Sequence, residues 1–253
     1  MERTPQRNFP EAEWRMRVDL AAGYRLVRHF GLDDLIYNHI TARVPGEDDR
    51  YLINPYGPLY DEMTASNLIK IDIDGAIHCE TDGEINPAGY MIHSAVHAAR
   101  HDTVCVLHTH SHYATLVSTL DEGFVALTQT AFQFHGRVAY HDYEGFALDA
   151  DERRRLVMDL GERNVMVLRN HGVLTLGRSV AEAFRRAYYF EAACRMQIEA
   201  RAAGKTRQPP AEVMERTAQQ WAGGAAGIGG GGSTREWPAL LRMLDRLDPT
   251  WRH

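Results

Sequence analysis

The chain has 253 residues, 44% of them hydrophobic and 25% charged, with a formal net charge of −6. This is the profile of a globular chain long enough to bury a sizeable core, and its acidic balance argues against a nucleic-acid surface held by phosphate contacts. No apolar run reaches membrane-spanning length and the polar residues 1–10 hold no apolar signal core, so a cytoplasmic protein without a membrane partner is expected.

Residues 11–30 read as a first helix, with Trp14, Val18, Ala21, Ala22 and Leu26 at helical intervals and Gly31 placed to stop it. Residues 35–44 have strand composition, and residues 51–54 read as the antiparallel partner after a turn-rich stretch. Residues 68–78 alternate apolar and polar around Asp74-Gly75, a hairpin signature. Residues 87–100 form a helix carrying His93 and His97 four apart on one face. Ser94 stands where a zinc-protease motif needs glutamate, so packing or hydrogen bonding is expected of this pair. After a strand ending at His110, residues 113–120 read as a short helix and 124–128 as a strand. A polar and aromatic stretch, 129–145, follows. Capping boxes at 149–152 and 179–182 open two further helices, the second running to about residue 203. The three cysteines, Cys79, Cys105 and Cys194, are scattered and odd in number, which is no disulfide framework.

Two units are expected: a main domain over 1–204 and a C-terminal arm over 205–253. The arm has a helix-prone start, a glycine-rich linker at 223–233 and a terminal helix. Trp237, Leu240, Leu241 and Leu244 make an apolar stripe on that helix, which predicts docking, with a neighbouring subunit as one surface for it.

The chemistry concentrates in histidines. In the strand ending Val106-Leu107-His108-Thr109-His110, positions i and i+2 share a side, so His108 and His110 present their imidazoles together. Cys105 then faces away, as a small core residue. A second apolar run from Val165 delivers His171 before Gly172. Three neutral imidazoles suit a divalent metal. Spacing does not show that the two strands are neighbours, so three unrelated histidines at strand ends remain an alternative at this point.

The arrangement resembles the class II aldolase/adducin family. The resemblance is carried by His108-Thr109-His110, by Arg169-Asn170-His171-Gly172-Val173 and by the stretch from Asn86 to His93. Asn38-His39-Ile40-Thr41 and Ile53-Asn54-Pro55-Tyr56-Gly57 add to it. It spans roughly residues 11–200. It implies a three-layer α/β/α sandwich around a mainly antiparallel sheet, and His108, His110 and His171 as ligands of a divalent metal, zinc first, with manganese or iron as alternatives. It further implies a cyclic homo-oligomer, a tetramer, with residues 129–145 at a subunit boundary. Asn38 and Gly57 become candidate substrate contacts, the first as an amide positioning an oxygen, the second by letting backbone N–H groups approach an anion. An asparagine and a Pro-Tyr-Gly turn without any ligand stay open as the plainer reading. Gln129 and His135 are the candidate substrate contacts at the boundary.

In aldolases of this family a glutamate serves as acid/base four residues before the helix histidine, and two serines before it hold substrate phosphate. Here those positions are Gly89 and Pro87-Ala88. Losing the carboxylate removes a proton-transfer agent worth about 10²–10⁴-fold. The expected activity is therefore a metal-dependent carbon–carbon lyase, of decarboxylase or aldolase type, acting through a metal-stabilised enolate on a small, non-phosphorylated oxo or hydroxy acid. Protonation of that enolate could fall to Glu144, Tyr143, His135 or water; Glu144 is the first candidate, against a plain turn carboxylate before Gly145. Two alternatives are a three-histidine ferrous oxygenase performing oxidative decarboxylation and a non-enzymatic adducin-like assembly module.

Overall fold

The computed structural model describes residues 9–145, 150–223 and 232–253. Seven strands form one sheet: β1 (His39–Arg43), β2 (Arg50–Ile53), β3 (Ile69–Asp72), β4 (Cys105–Thr109), β5 (Val138–His141), β6 (Val165–Leu168) and β7 (Gly172–Gly177). Their spatial order is β3-β2-β1-β4-β7-β6-β5. Neighbours are antiparallel except β5 and β6, which are parallel. The helices are α1 (Glu11–His29), α2 (Pro87–Ala99), α3 (His112–Ser118), α4 (Ala150–Leu160), α5 (Val180–Ala203), α6 (Ala211–Gly223) and α7 (Gly232–Leu247).

Strand alternation assigns the helices to two layers. On β4, Cys105 and Leu107 pack with α1 and α5, whereas Val106 joins Ile92 and Val96 of α2 and Leu156 and Leu160 of α4. Val165 and Val167 of β6 face the first side, where α3, α5 and Met214 of α6 cover them. The result is the expected α/β/α sandwich, with Cys105 buried away from His108 as its strand position predicts.

Local chemistry sets the element ends. Gly31, at φ 65°, closes α1. The Ser179 hydroxyl accepts the Glu182 N–H at 3.2 Å while the Glu182 carboxylate accepts the Arg178 N–H at 2.7 Å, opening α5. The other expected cap, Asp149, and most of the glycine-rich stretch lie outside the described residues.

Three segments differ from expectation. The strand expected over 35–44 begins only at His39, because Leu35 and Asn38 take φ of 51° and 74° and the chain turns there. Residues 124–128 are not a strand, because side chains satisfy their backbone: the Phe124 N–H donates to the Tyr140 hydroxyl at 3.0 Å and the Val125 N–H to Gln197 Oε1 at 2.7 Å. The C-terminal stripe docks on its own chain. Trp237, Leu244 and the fully buried Trp251 join the cluster made by α1 and α5, and the Trp237 indole donates to Asp19 at 3.1 Å.

Candidate metal centre and its cleft

One end of the sheet gathers the chemistry. His39 at the start of β1 pairs with His108 near the end of β4, and His108 pairs with Leu174 of β7. His171 lies in the turn between β6 and β7, and His141 ends β5 beside Leu168. The turn that presents His171 depends on two residues. Asn170 adopts φ 57°, a conformation asparagine tolerates. At Gly172 any Cβ would fall 2.4 Å from the Thr109 carbonyl oxygen, so only glycine lets β7 come this close to β4.

One ring nitrogen from each of His108, His110 and His171 lies within 4.8 Å of the others. His108 Nδ1 is 3.1 Å from the Val173 carbonyl and must donate its proton there, which leaves Nε2 with a lone pair. His110 Nδ1 is 2.9 Å from Asp34 Oδ2, with the same consequence. The two Nε2 atoms stand 3.1 Å apart. Two lone pairs at that distance repel unless a cation lies between them, so tautomers and geometry both fit a divalent ion. Burial, with His171 and His110 adjacent, pushes His108 well below the usual histidine range, and burial then His110 bring His171 to about 4. Both rings are therefore neutral, as ligands must be, at neutral pH. The chain is also pinned just beyond His110: the Glu191 carboxylate accepts the Ser111 hydroxyl and the Tyr113 and Ala114 N–H groups at 2.8–2.9 Å.

A cleft of about 230 Å³ opens beside these histidines on the α2/α4 side. Asn38 lines it: Oδ1 accepts the His110 N–H at 3.4 Å, and Nδ2 is a buried donor with no partner. Glu144 lines it too, but its carboxylate is held by the Arg155 guanidinium, with Nε at 2.9 Å. The other three expected substrate contacts are not in the cleft. Gly57 sits in the turn after β2, where the Tyr56 N–H donates to the Glu84 carbonyl. Gln129 and His135 are on the opposite face, held toward α6: the Trp221 indole donates to the Gln129 carbonyl, and Arg137, which donates to the His135 carbonyl, pairs with Glu215.

The position resembling the aldolase glutamate is filled from elsewhere. A Cβ on Gly89 would lie 1.9 Å from Cε1 of His39. Replacing the glutamate by glycine therefore leaves no open room beside the ligands, since the His39 imidazole occupies it. That ring is buried, has no partner on either nitrogen, and is brought to about 4 mainly by desolvation. Behind it His93 and His97 share the Thr41 hydroxyl at 2.8 Å each, the hydrogen-bonding role expected of them. Sequence reading missed His39 and Asp34. It also missed His141, whose Nδ1 donates to Asp159 at 2.7 Å. The one local signal for His39 was its place beside Asn38 in the early motif.

Comparison with known proteins gives the family. The Class II Aldolase and Adducin N-terminal domain matches residues 18–198, and the chain belongs to that family. An aldolase II superfamily protein from Pseudomonas syringae has a structure similar at a TM-score of 0.90, with 48% identity over 97% of this chain and 98% of that one. The L-fuculose 1-phosphate aldolase from Glaciozyma antarctica PI12 gives 0.84, with 26% identity over 99% and 97%. Alpha-adducin of Rattus norvegicus is 38% identical over 94% of this chain, which spans 34% of adducin's length.

Proposed function

We propose that the protein is a divalent-metal-dependent carbon–carbon lyase, of decarboxylase or aldolase type, for a small, non-phosphorylated oxo or hydroxy acid. The observation that carries this reading is the trio His108, His110 and His171, one ring nitrogen of each within 4.8 Å of the others, with Nε2 of His108 and of His110 left with a lone pair. A bound divalent ion, zinc first and manganese or iron next, supplies Lewis-acid stabilisation of negative charge that develops on substrate oxygen. Asn38 Nδ2 donates to a second substrate oxygen from the cleft wall. Absence of a phosphate is supported by the lining: its one arginine, Arg169, already donates to the Leu120 and Asp121 carbonyls and lies over the Tyr140 ring, while Asp142, Glu144 and Glu152 add negative charge. The cleft volume suits an acid of a few carbons. Gln129 and His135, remote from this cleft, belong in the same reading to the boundary with a neighbouring protomer of a homotetramer.

The test is metal analysis of protein purified without chelators, followed by turnover and O₂-uptake assays on a panel of oxo and hydroxy acids. Stoichiometric zinc or manganese and CO₂ or aldehyde release without O₂ uptake support the lyase. Iron with O₂ uptake replaces it by the ferrous oxygenase, and a metal-free, inactive protein by an adducin-like assembly module.

A further inference from the structure

We propose that His141, oriented by Asp159, is the proton carrier of the cleft and does the work for which the expected glutamate is missing. The inference rests on the enolate reading of the preceding subsection. His141 ends β5 at the same end of the sheet as the three ligands, and its neighbour in register, Leu168, lies three residues before His171. One to two strand spacings, roughly 5–10 Å, separate their backbones, so the two side chains can face one small ligand across the cleft that both line.

The chemistry of the pair is specific. Asp159 Oδ2 accepts from Nδ1 at 2.7 Å, which fixes the ring and its tautomer. Nε2 is then the exchangeable position, and it is buried without a partner although the ring lines the cleft. A buried polar atom left unpaired has a cost that a ligand can relieve. The competing candidates are less suited. Glu144 is engaged by Arg155. His39 has no carboxylate to orient it and is kept neutral by burial. Other charged groups around the cleft are Asp142, Glu152 and Arg169.

In the decarboxylation direction the bond between the carboxylate carbon and its neighbour breaks, CO₂ leaves, and the electron pair stays as the enolate. The imidazolium form of His141 passes its Nε2 proton to the enolate carbon and is left as the neutral Nδ1–H tautomer that Asp159 holds; a proton from solvent then restores Nε2–H, so each turnover consumes one proton. Run as an exchange reaction, neutral Nε2 takes a proton from the methyl group of a 2-oxo acid and returns a solvent deuteron.

The experiment uses the zinc-loaded full chain in D₂O with pyruvate as probe, methyl-proton exchange being followed by NMR. Oxalate, which resembles the enolate, is titrated calorimetrically as a binding control. Wild-type protein should exchange. His141→Gln should exchange at least about 100-fold more slowly, with zinc content and oxalate affinity within twofold, and added imidazole should restore part of the rate to His141→Ala. Asp159→Asn, a change at a half-exposed carboxylate, should keep its melting temperature but lose the low-field Nδ1–H resonance and slow exchange without weakening oxalate. Exchange by His141→Gln at the wild-type rate overturns the assignment and leaves the enolate reading standing. A wild-type protein that binds zinc and oxalate but exchanges nothing overturns both.

Discussion

Replacing Gly89 by alanine tests whether His39 fills the place of the missing glutamate. The new Cβ would lie 1.9 Å from His39 Cε1, 2.4 Å from Nδ1 and 2.4 Å from Nε2, so the ring must retreat by more than an ångström, as ordinary carbon contacts begin near about 3.5 Å. Retreat is obstructed, because the His93 ring stands 4.5 Å away and the His108 ring 5.6 Å away, centroid to centroid. Overpacking of this kind costs about 1–3 kcal/mol. Helix propensity works the other way, since alanine is better than glycine by up to about 1 kcal/mol inside a helix, and Gly89 lies in α2. With the full propensity gain the balance predicts a net loss of about 0–2 kcal/mol, or up to roughly 8 °C in melting temperature for a chain of this size. The assay is a double-mutant cycle by urea denaturation with Gly89→Ala, His39→Ala and the pair. Removing the ring relieves the overlap, so the double variant should be more stable than additivity requires by about 1–3 kcal/mol. A Gly89→Ala variant as stable as wild type, with additive effects in the cycle, would show that the ring is not there, and the account of the lost carboxylate would fail with it.

Single alanine substitutions of His108, His110 and His171 should each remove most bound zinc with the fold retained, whereas His93→Ala and His97→Ala should keep it; metal analysis after gel filtration decides, and full occupancy in any of the first three removes that residue from the ligand set. Metal-free protein should lose stability in acid, because burial holds His39 near 4 and His97 near 3 while an unfolded histidine titrates near about 6.5. The unfolded chain therefore binds the extra protons, so this stability is complete above the unfolded value and is lost as pH falls through 6.5 toward 4. The two rings together contribute a slope of roughly 3 kcal/mol per pH unit, which a urea midpoint that stays flat between pH 7 and 5 would contradict. Truncation after Gly223 removes Trp237, Leu244 and Trp251 from the α1/α5 cluster and should lower the melting temperature by 10 °C or more, since each large buried side chain contributes about 1.5–3 kcal/mol; an unchanged melting curve would mean that the helix does not dock there.

The pair His108 and His110 was readable because its pattern is local, and it was the family resemblance that joined His171 to it. Alternation along a strand put His108 and His110 on one side, and the Asn170-His171-Gly172 turn has residue types that its backbone angles and close approach demand. What alternation does not contain is the pairing of β4 with β7, which makes the two segments one site. The failures share the same cause. Leu35 to Asn38 have strand composition, yet two left-handed residues turn the chain there. Residues 124–128 read as a strand, but Tyr140 and Gln197 take the hydrogen bonds that a neighbouring strand would have made. Glu144 looked available until Arg155, eleven residues on, closed around it.

The resemblance to aldolases of the family implies a glutamate at position 89, and the glycine that stands there has a consequence beyond the missing side chain. Glycine has no carboxylate and admits the neighbouring strand's imidazole, so a buried neutral ring stands where the resemblance implies an anion. A neutral ring without an orienting partner hydrogen-bonds well and carries protons poorly. The proton-transfer role must then move to a group that keeps both access and an orienting charge, and on the cleft wall the Asp159–His141 pair meets both conditions. If that displacement is correct, restoring glutamate at position 89 is not enough to recover aldolase-like proton transfer. Gly89→Glu alone should collide with His39 and bind zinc poorly, while Gly89→Glu combined with His39→Ala should accept the metal and exchange the probe's protons even when His141 is glutamine. A triple variant that fails to exchange where the double variant with His141 intact does exchange would mean that the two positions are not alternative homes for one function.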